Sequence, residues 1–421
     1  MRTQIMVRFK KAPKLVENLS MTTCERKAVR NLVFIYISRA LRSFAAGFLT
    51  IAVSLYLFNN LRLSTFLIGG IFTSGALATP ILSLFLGRLG DIYGRKKVLL
   101  LDLATLPVSI IIILSTSNYI LLMLASVLGG FGIAGGLVGG GVGASAAPLI
   151  TPLIAENTND KNRTLAYSLN NLISTFSGAA GVLMVSVFEF QELFLIGLII
   201  TLLSVFAIIP VTESYVPRKQ KVNDSKKVQL GQNDNKKYIK VFAITGVLNG
   251  FGQGAITPYY PIIFNTFFGM SKSQIGYLFS LGGILSGVAF IFTQYFTDKF
   301  GFLKFINLTR SISATLVLLL PFSPNYLFAS FLYLLLTPLR AVSLPAQTSL
   351  MMKLISEEDR STASGVNQAA RLVASASGTM ITGSLLGSFP LFVPFLIAAF
   401  STYGNVLVYI KFFGKIKGLT R

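Results

Sequence analysis

The stretch GRLGDIYGRKKVLL, residues 87–100, sets Arg88, Asp91, Arg95, Lys96 and Lys97 among Gly87, Gly90 and Gly94, between two long apolar runs. It is too short and too charged to cross a bilayer, so it reads as a tight cytoplasmic turn between two membrane helices. The rest of the chain agrees. Of 421 residues, 53% are hydrophobic and 12% charged, and the mean hydropathy of +0.68 is far above that of a soluble protein. A single cysteine, Cys24, excludes an internal disulfide framework, and the absence of histidine leaves no ordinary transition-metal site; no metal and no cofactor are expected. The formal charge of +22 is accounted for by lysines and arginines crowded into cytoplasmic loops, so no nucleic-acid partner is expected. The N-terminus lacks the pattern of a cleaved signal peptide, and the first helix is expected to direct insertion.

A spanning helix needs about 20 residues. The apolar runs place helices near 31–57, 65–86, 97–115, 119–144, 163–187, 193–212, 239–265, 273–297, 303–321, 326–351, 361–387 and 390–412. Residues 1–30 form a basic cytoplasmic tail able to lie on anionic lipid, and 413–421 a second short tail. Residues 213–238 are polar, basic and without apolar rhythm, which makes them a linker between six-helix bundles at 31–212 and 239–412. With both termini cytoplasmic, 30 of the 37 lysines and arginines fall on the inner side and only Arg62 and Lys272 in outer loops. The opposite orientation violates the positive-inside rule throughout.

The two bundles repeat each other. A shift of 207 positions carries Leu41, Phe44, Gly47 and Thr50 onto Leu248, Phe251, Gly254 and Thr257, and Ser64, Ile68 and Gly69 onto Ser271, Ile275 and Gly276. It also carries Asp91, Gly94 and Lys97 onto Asp298, Gly301 and Lys304. A shift of 197 takes Pro148, Thr151, Leu153, Arg163, Asn170 and Gly181 onto Pro345, Thr348, Leu350, Arg360, Asn367 and Gly378. Ten residues therefore differ between the blocks, in the glycine-rich fourth helix or the turn before it. Parallel repeats of this kind belong to one architecture of secondary transporters.

The loop at 87–100 resembles the mark G-x-L-x-D-x-x-G-R-K/R-K/R found between helices 2 and 3 of major facilitator superfamily transporters. The resemblance implies an all-α membrane protein of twelve transmembrane helices in two pseudo-symmetric six-helix bundles, a transporter rather than an enzyme. It also implies that Gly87, Asp91, Gly94, Arg95 and Lys97, with a weaker second copy at Asp298 and Gly301, form a latch that holds one conformation and breaks in the other. Physically, Asp91 can accept hydrogen bonds from Arg95 or from the exposed amides that begin a neighbouring helix. In the second copy Gln294 stands where Gly87 does and Phe302 replaces Arg95, so an asymmetric latch is expected. In the fourth helix Gly132, Gly136 and Gly140 recur every four residues, for close packing or as a hinge. Proton-coupled members often carry an arginine on that helix, and antiporters a glycine–proline motif on the fifth; this chain has neither.

Ionisable residues inside membrane helices are costly and are functional candidates by default. The deep ones are all cationic: Arg39, Arg42, Arg310, Arg340 and Arg371. Arg340 is too far from either helix end to snorkel, Arg371 has Asn367 one turn earlier, and Arg39 can reach the inner surface. Arg310 is assigned to the inner gate, with Asp102 as partner, and no acid is expected at mid-membrane. An anionic cargo bound by Arg340, Arg371 and Arg42 balances these charges, with Asn367, Asn249, Gln253 and Asn170 supplying hydrogen bonds. Tyr259 and Asn171 are further donors. The expected partners are thus a small-molecule substrate and the lipid bilayer, and the protein is expected to act as a monomer in the plasma membrane. The alternative is efflux of amphipathic drugs or lipids along aromatic faces such as Phe264, Phe267 and Phe279.

Overall fold

In a computed structural model the described residues are 23–131, 146–158, 160–213, 232–355 and 359–414. The tail at 1–22, the glycine triplet Gly132, Gly136 and Gly140, most of the linker and the last residues lie outside them. The described chain is helical throughout, with no strand. The helices are α1 Thr23–Leu55, α2 Thr65–Tyr93, α3 Arg95–Ser115, α4 Tyr119–Gly129, α5 Ala147–Glu156, α6 Asp160–Val182 and α7 Phe190–Phe206. After the linker come α8 Gln232–Ile256, α9 Tyr260–Thr266, α10 Lys272–Phe300, α11 Phe302–Leu319, α12 Tyr326–Leu354, α13 Arg360–Leu386 and α14 Phe392–Phe413. Nine helices among the described residues are long and apolar enough to cross a membrane.

Local chemistry sets the ends. Ser64 accepts from the Leu67 amide to cap α2, and Ser271 with Gln274 forms a capping box on α10. Asn118 caps α4 and Asn325 caps α12, each side chain accepting from its own first turn. Ser64/Ser271 and Asn118/Asn325 both obey the 207-residue shift, so the ten-residue difference falls after Asn118. Two expected helices are corrected. The helix expected over 119–144 stops at Gly129, because Gly130 takes the left-handed conformation (φ 67°) and its amide closes on Ser126 O at 2.8 Å. The helix expected over 239–265 breaks at Ile256, where Pro258 and Pro261 remove amide donors and Thr257–Tyr259 forms a short 3₁₀ turn.

Packing within each copy of the repeat rests on helix backbones in contact. A Cβ on Gly47 would strike the carbonyl of Gly178, and one on Gly181 the carbonyl of Phe44, which joins α1 to α6. In the second copy a Cβ on Gly254 would strike the carbonyl of Ser375, and one on Gly378 that of Phe251, which joins α8 to α13. These are the same pairs carried across by the shifts of 207 and 197. Where neighbouring lipid is as apolar as leucine, such small-residue contacts, which admit close dispersion packing, hold helices together.

The copies meet across α2/α13 and α10/α6. Gly69 packs on Gly383, and Gly276 on Ser186. Thr73 donates to Ala376 O at 3.2 Å, and Ser280 to Ala179 O at 2.8 Å. Both couples are again related by 207 and 197, so this interface has two-fold pseudo-symmetry. All side-chain hydrogen bonds between the copies, among the described residues, lie at the end away from the Gly87–Leu100 loop. They include Ser54 to Pro258 O, Asn59 to Asn265 and the reciprocal pair between Ser186 and Ser273. There one apolar cluster spans both copies, including Phe48, Phe72, Tyr259, Phe264 and Phe395. At the loop end the clusters are separate, one around Leu99, Leu149 and Leu153 and the other around Phe242, Ile306 and Phe413. The α2 stripe of Gly69, Thr73 and Ala76 continues to Leu84, which is 70% exposed, and the facing α13 stripe continues to Gly365, with nothing within 4 Å of an added Cβ. Among the described residues, the two copies are joined at one end and parted at the other.

Substituting Gly254 by valine should therefore cost about 1–3 kcal/mol or more in thermal unfolding, whereas Gly365→Val should have little effect; equal melting shifts for the two would refute this packing scheme.

Candidate functional site

α1 and α3 bring together a pair that the sequence reading assigned differently. Arg42 Nη1 lies 3.2 Å from Asp102 Oδ2, with the two side chains 3% and 2% exposed. Asp102, in the second turn of α3, is the one carboxylate among the described residues that is fully buried. Its partner is Arg42, not Arg310. Arg42 is thus charge-compensated within its own copy, though its Nε has no partner. Arg39, one turn earlier, is half-buried, and its Nε is buried without a partner.

Arg310 on α11 is 2% exposed. It donates to Asn405 Oδ1 and Gln347 Oε1 and stacks its guanidinium over the Tyr409 ring, 4.9 Å from the centroid. Gln347 donates on to Asn367 Oδ1 at 3.4 Å, and the Asn367 amide donates to the Phe242 carbonyl. Asn367 is therefore committed to tying α13 to α8 and α12. Tyr259 is likewise committed: its hydroxyl donates to Thr379 O at 2.7 Å, wedged beside Gly69 and Gly383.

The remaining candidates keep free polar atoms. Arg340 on α12 is half-buried, with its guanidinium beside the Tyr260 hydroxyl. Its Nη2 and the Tyr260 hydroxyl are both buried without a hydrogen-bond partner. Arg371 is half-buried, close against Gly250, and has no ion pair or side-chain hydrogen bond among the described residues. Asn249 accepts from Gln253 at 3.4 Å while its own Nδ2 is unpartnered, and Asn170 Oδ1 is unpartnered. Asn171 is exposed. The aromatic face expected to serve amphipathic cargo is used up in packing: Phe264 and Phe279 are fully buried against Tyr333 and each other, and only Phe267 is exposed.

At the parted end, Gly94 (φ 99°) and Gly301 (φ 79°) make the two equivalent turns, in a region that favours glycine. Arg95 pairs with Glu156. Both carboxylate oxygens of Glu213 accept from the amides of Arg95 and Lys96, each at 2.8 Å, so a linker residue caps α3 where the sequence reading offered Asp91. The Asp91 side chain lies outside the described residues. Gly87 is half-buried, Lys97 is exposed, and Asp298 is exposed with no partner among the described residues. Burial pushes the Glu156 carboxyl above its ordinary value, assisted by Glu213 and opposed by Arg95. Asn405, Gln347, Tyr260 and Glu213 were missed as interacting residues. No charge pattern marks the first three.

A family model described as Major Facilitator Superfamily matches residues 35–379, and again 242–418. The chain belongs to that superfamily, and it is a multi-pass membrane transporter rather than an enzyme. Among solved structures it is similar to the nucleoside transporter NupG (TM-score 0.67, 16% identity, covering 93% of this chain and 100% of that one). It is also similar to a D-xylose–proton symporter (0.69, 16%, 91% and 97%) and to the human organic anion transporter MFSD10 (0.62, 13%, 91% and 99%). No curated protein sequence matches it significantly.

Two outcomes follow from these charges. Asp102→Asn strands Arg42 and should cost about 3–5 kcal/mol in thermal unfolding, largely recovered in Arg42→Met/Asp102→Leu; a silent single variant would contradict the pairing. For Glu156 the folded value exceeds the unfolded one, so the folded state holds its proton longer. Relative to Glu156→Gln, the wild type should lose stability as pH rises above about 4.5 and level off once the raised value is passed. A melting-point difference that grows toward acid pH would reverse that sign.

Proposed function

We propose that this chain is a secondary active or facilitative transporter of a small organic or phosphorylated anion. It works by alternating access between halves at 31–212 and 239–412, each with six helices. The carrying observation is the charge imbalance inside the helices. Arg39, Arg42, Arg310, Arg340 and Arg371 are matched among the described residues by Asp102 alone. Uncompensated buried guanidinium groups are unfavourable, and a carboxylate or phosphate satisfies them in bidentate fashion. The adjacent unpartnered atoms of Arg340 and Tyr260 offer donors for such a group. Arg371, Arg39, Asn249, Gln253 and Asn170 are its further candidate contacts. Arg42, already paired with Asp102, and Asn367, already bonded, act in support.

The lysine and arginine count supports a plasma-membrane protein with both termini cytoplasmic. In that orientation the parted end faces inward. Opening outward would break the Thr73–Ala376 and Ser280–Ala179 bonds and bring Leu84 and Gly87 of α2 toward Gly365 of α13. Gly87, Asp91, Gly94, Arg95 and Lys97 would then latch the inner side, with Asp298 and Gly301 as the weaker copy. The protein acts as a monomer. Uniport, anion exchange and symport with a protonated cargo are all consistent with the few carboxylates present.

Uptake into proteoliposomes across a panel of carboxylate and phosphate monoesters tests this reading. Arg340→Gln and Arg371→Gln should each lower anion flux at least about tenfold, equivalent to about 1.4 kcal/mol of lost binding. Unchanged anion flux in both variants, or transport of neutral or cationic dyes instead, would sink it in favour of amphipathic efflux.

A further inference from the structure

Arg310 lies outside the set of residues expected to touch cargo, yet its surroundings are unusual. It is 2% exposed, and its partners are two amide oxygens and an aromatic face, with Nε unpartnered. The helices packed against α11 bring no buried acid to it. α12 carries Arg340 and Lys353, α14 carries Lys411, and α10 carries Lys272, Asp298 and Lys299, of which Asp298 is exposed in the last turn. The first copy solves the same problem in the opposite way. There Arg42 is neutralised by Asp102, and the 207-residue shift places Thr309 where that acid stands. The Thr309 hydroxyl turns back to its own helix, donating to Phe305 O at 2.8 Å. The second copy thus keeps a buried cation and lacks the acid.

Such a charge is weakly screened, since it has no counter-ion and little water beside it. It is also wired to the site. Gln347, which holds Arg310, donates to Asn367, and Arg371 follows Asn367 by one helical turn on the same face. We infer that Arg310 is a specificity-determining residue that acts at a distance. Its uncompensated charge makes the second copy's face around Arg371 electropositive and so selects for anionic solutes, without itself touching them. Its use in choosing cargo rests on the anion reading above; the field does not.

Isosteric neutralisation separates the two. Gln347→Glu and Asn405→Asp each place a carboxylate oxygen where an amide oxygen already accepts from Arg310. The oxygen that accepts from Arg310 is kept and the local charge is cancelled, while each variant gives up one amide donor, that of Gln347 to Asn367 or that of Asn405 to the Thr245 carbonyl. In a Cys24→Ser background, a reporter cysteine at Gly365, or at the exposed Gln368 as a second position, stands on α13 near Arg371. Its rates of reaction with 2-sulfonatoethyl and 2-(trimethylammonio)ethyl methanethiosulfonate read the local potential with no cargo present. The ratio of anionic to cationic rates should fall about three- to tenfold in both variants, each of which still melts cooperatively as a folded protein. An unchanged ratio in both, with the fold intact, overturns the inference. If the ratio falls but no anion in the panel is transported, the field stands and the anion reading fails; anion transport with an unmoved ratio gives the converse.

Discussion

Backbone-to-backbone contact at small residues is the constraint on which the structure depends. In lipid there is no hydrophobic force to press one helix on another, so association rests on close packing and on hydrogen bonds that skip the side chain of one partner. Gly47, Gly181, Gly254 and Gly378 meet that need within the copies, and Gly69, Gly276 and Gly383 between them. At the crossing of the copies, Thr73 and Ser280 donate to main-chain carbonyls. Such contacts are sharp: a carbonyl in contact with a glycine cannot slide past a larger residue, but two helices can pivot about the point where they touch. A crossing near one end of α2 and α13, and again of α10 and α6, joins the copies there, and among the described residues no such contact is made at the other end.

The charges follow from where the helices part. A guanidinium buried in a packed interior must be neutralised or hydrogen-bonded, and each copy shows one solution. Asp102 neutralises Arg42, whereas Asn405, Gln347 and the Tyr409 ring merely solvate Arg310. Arg340 and Arg371 have no carboxylate beside them, and Arg371 lies on α13, the helix that meets α2 of the other copy. The pseudo-symmetry that governs the backbone thus does not extend to charge. Copies that correspond in their glycine contacts have diverged in electrostatics, as one scaffold can carry different sites.

Much of the fold was legible because its signals are periodic and redundant. The apolar runs, the Asp-x-x-Gly turns at Asp91 and Asp298 and the two register shifts all describe the same architecture, and the shifts carry each glycine contact of one copy onto its equivalent in the other. Helix interruptions were less legible. Gly130 and the Pro258–Pro261 pair stop helices within runs whose hydropathy does not change, so only backbone chemistry records the break. The candidate site was legible only in its charges. Arginines in apolar helices stand out by cost alone, so Arg340 and Arg371 were visible. Their partners were not, because a pairing such as Arg42 with Asp102 depends on the rotation of α1 against α3, which composition does not encode.

Glu213 carries the same lesson to the loop where the reading began. From sequence it opens a polar linker, and Asp91 is the natural acid for the helix that starts at Arg95. In the fold Glu213 spreads both carboxylate oxygens over the amides of Arg95 and Lys96, while Glu156 takes the Arg95 side chain. The first residue after the sixth predicted helix therefore closes a polar cluster with the loop between the second and third. A helix N-terminus must satisfy its exposed amides whichever way the transporter faces. Glu213 meets that need from within the same half, so the cap on α3 draws on no residue of the opposite half.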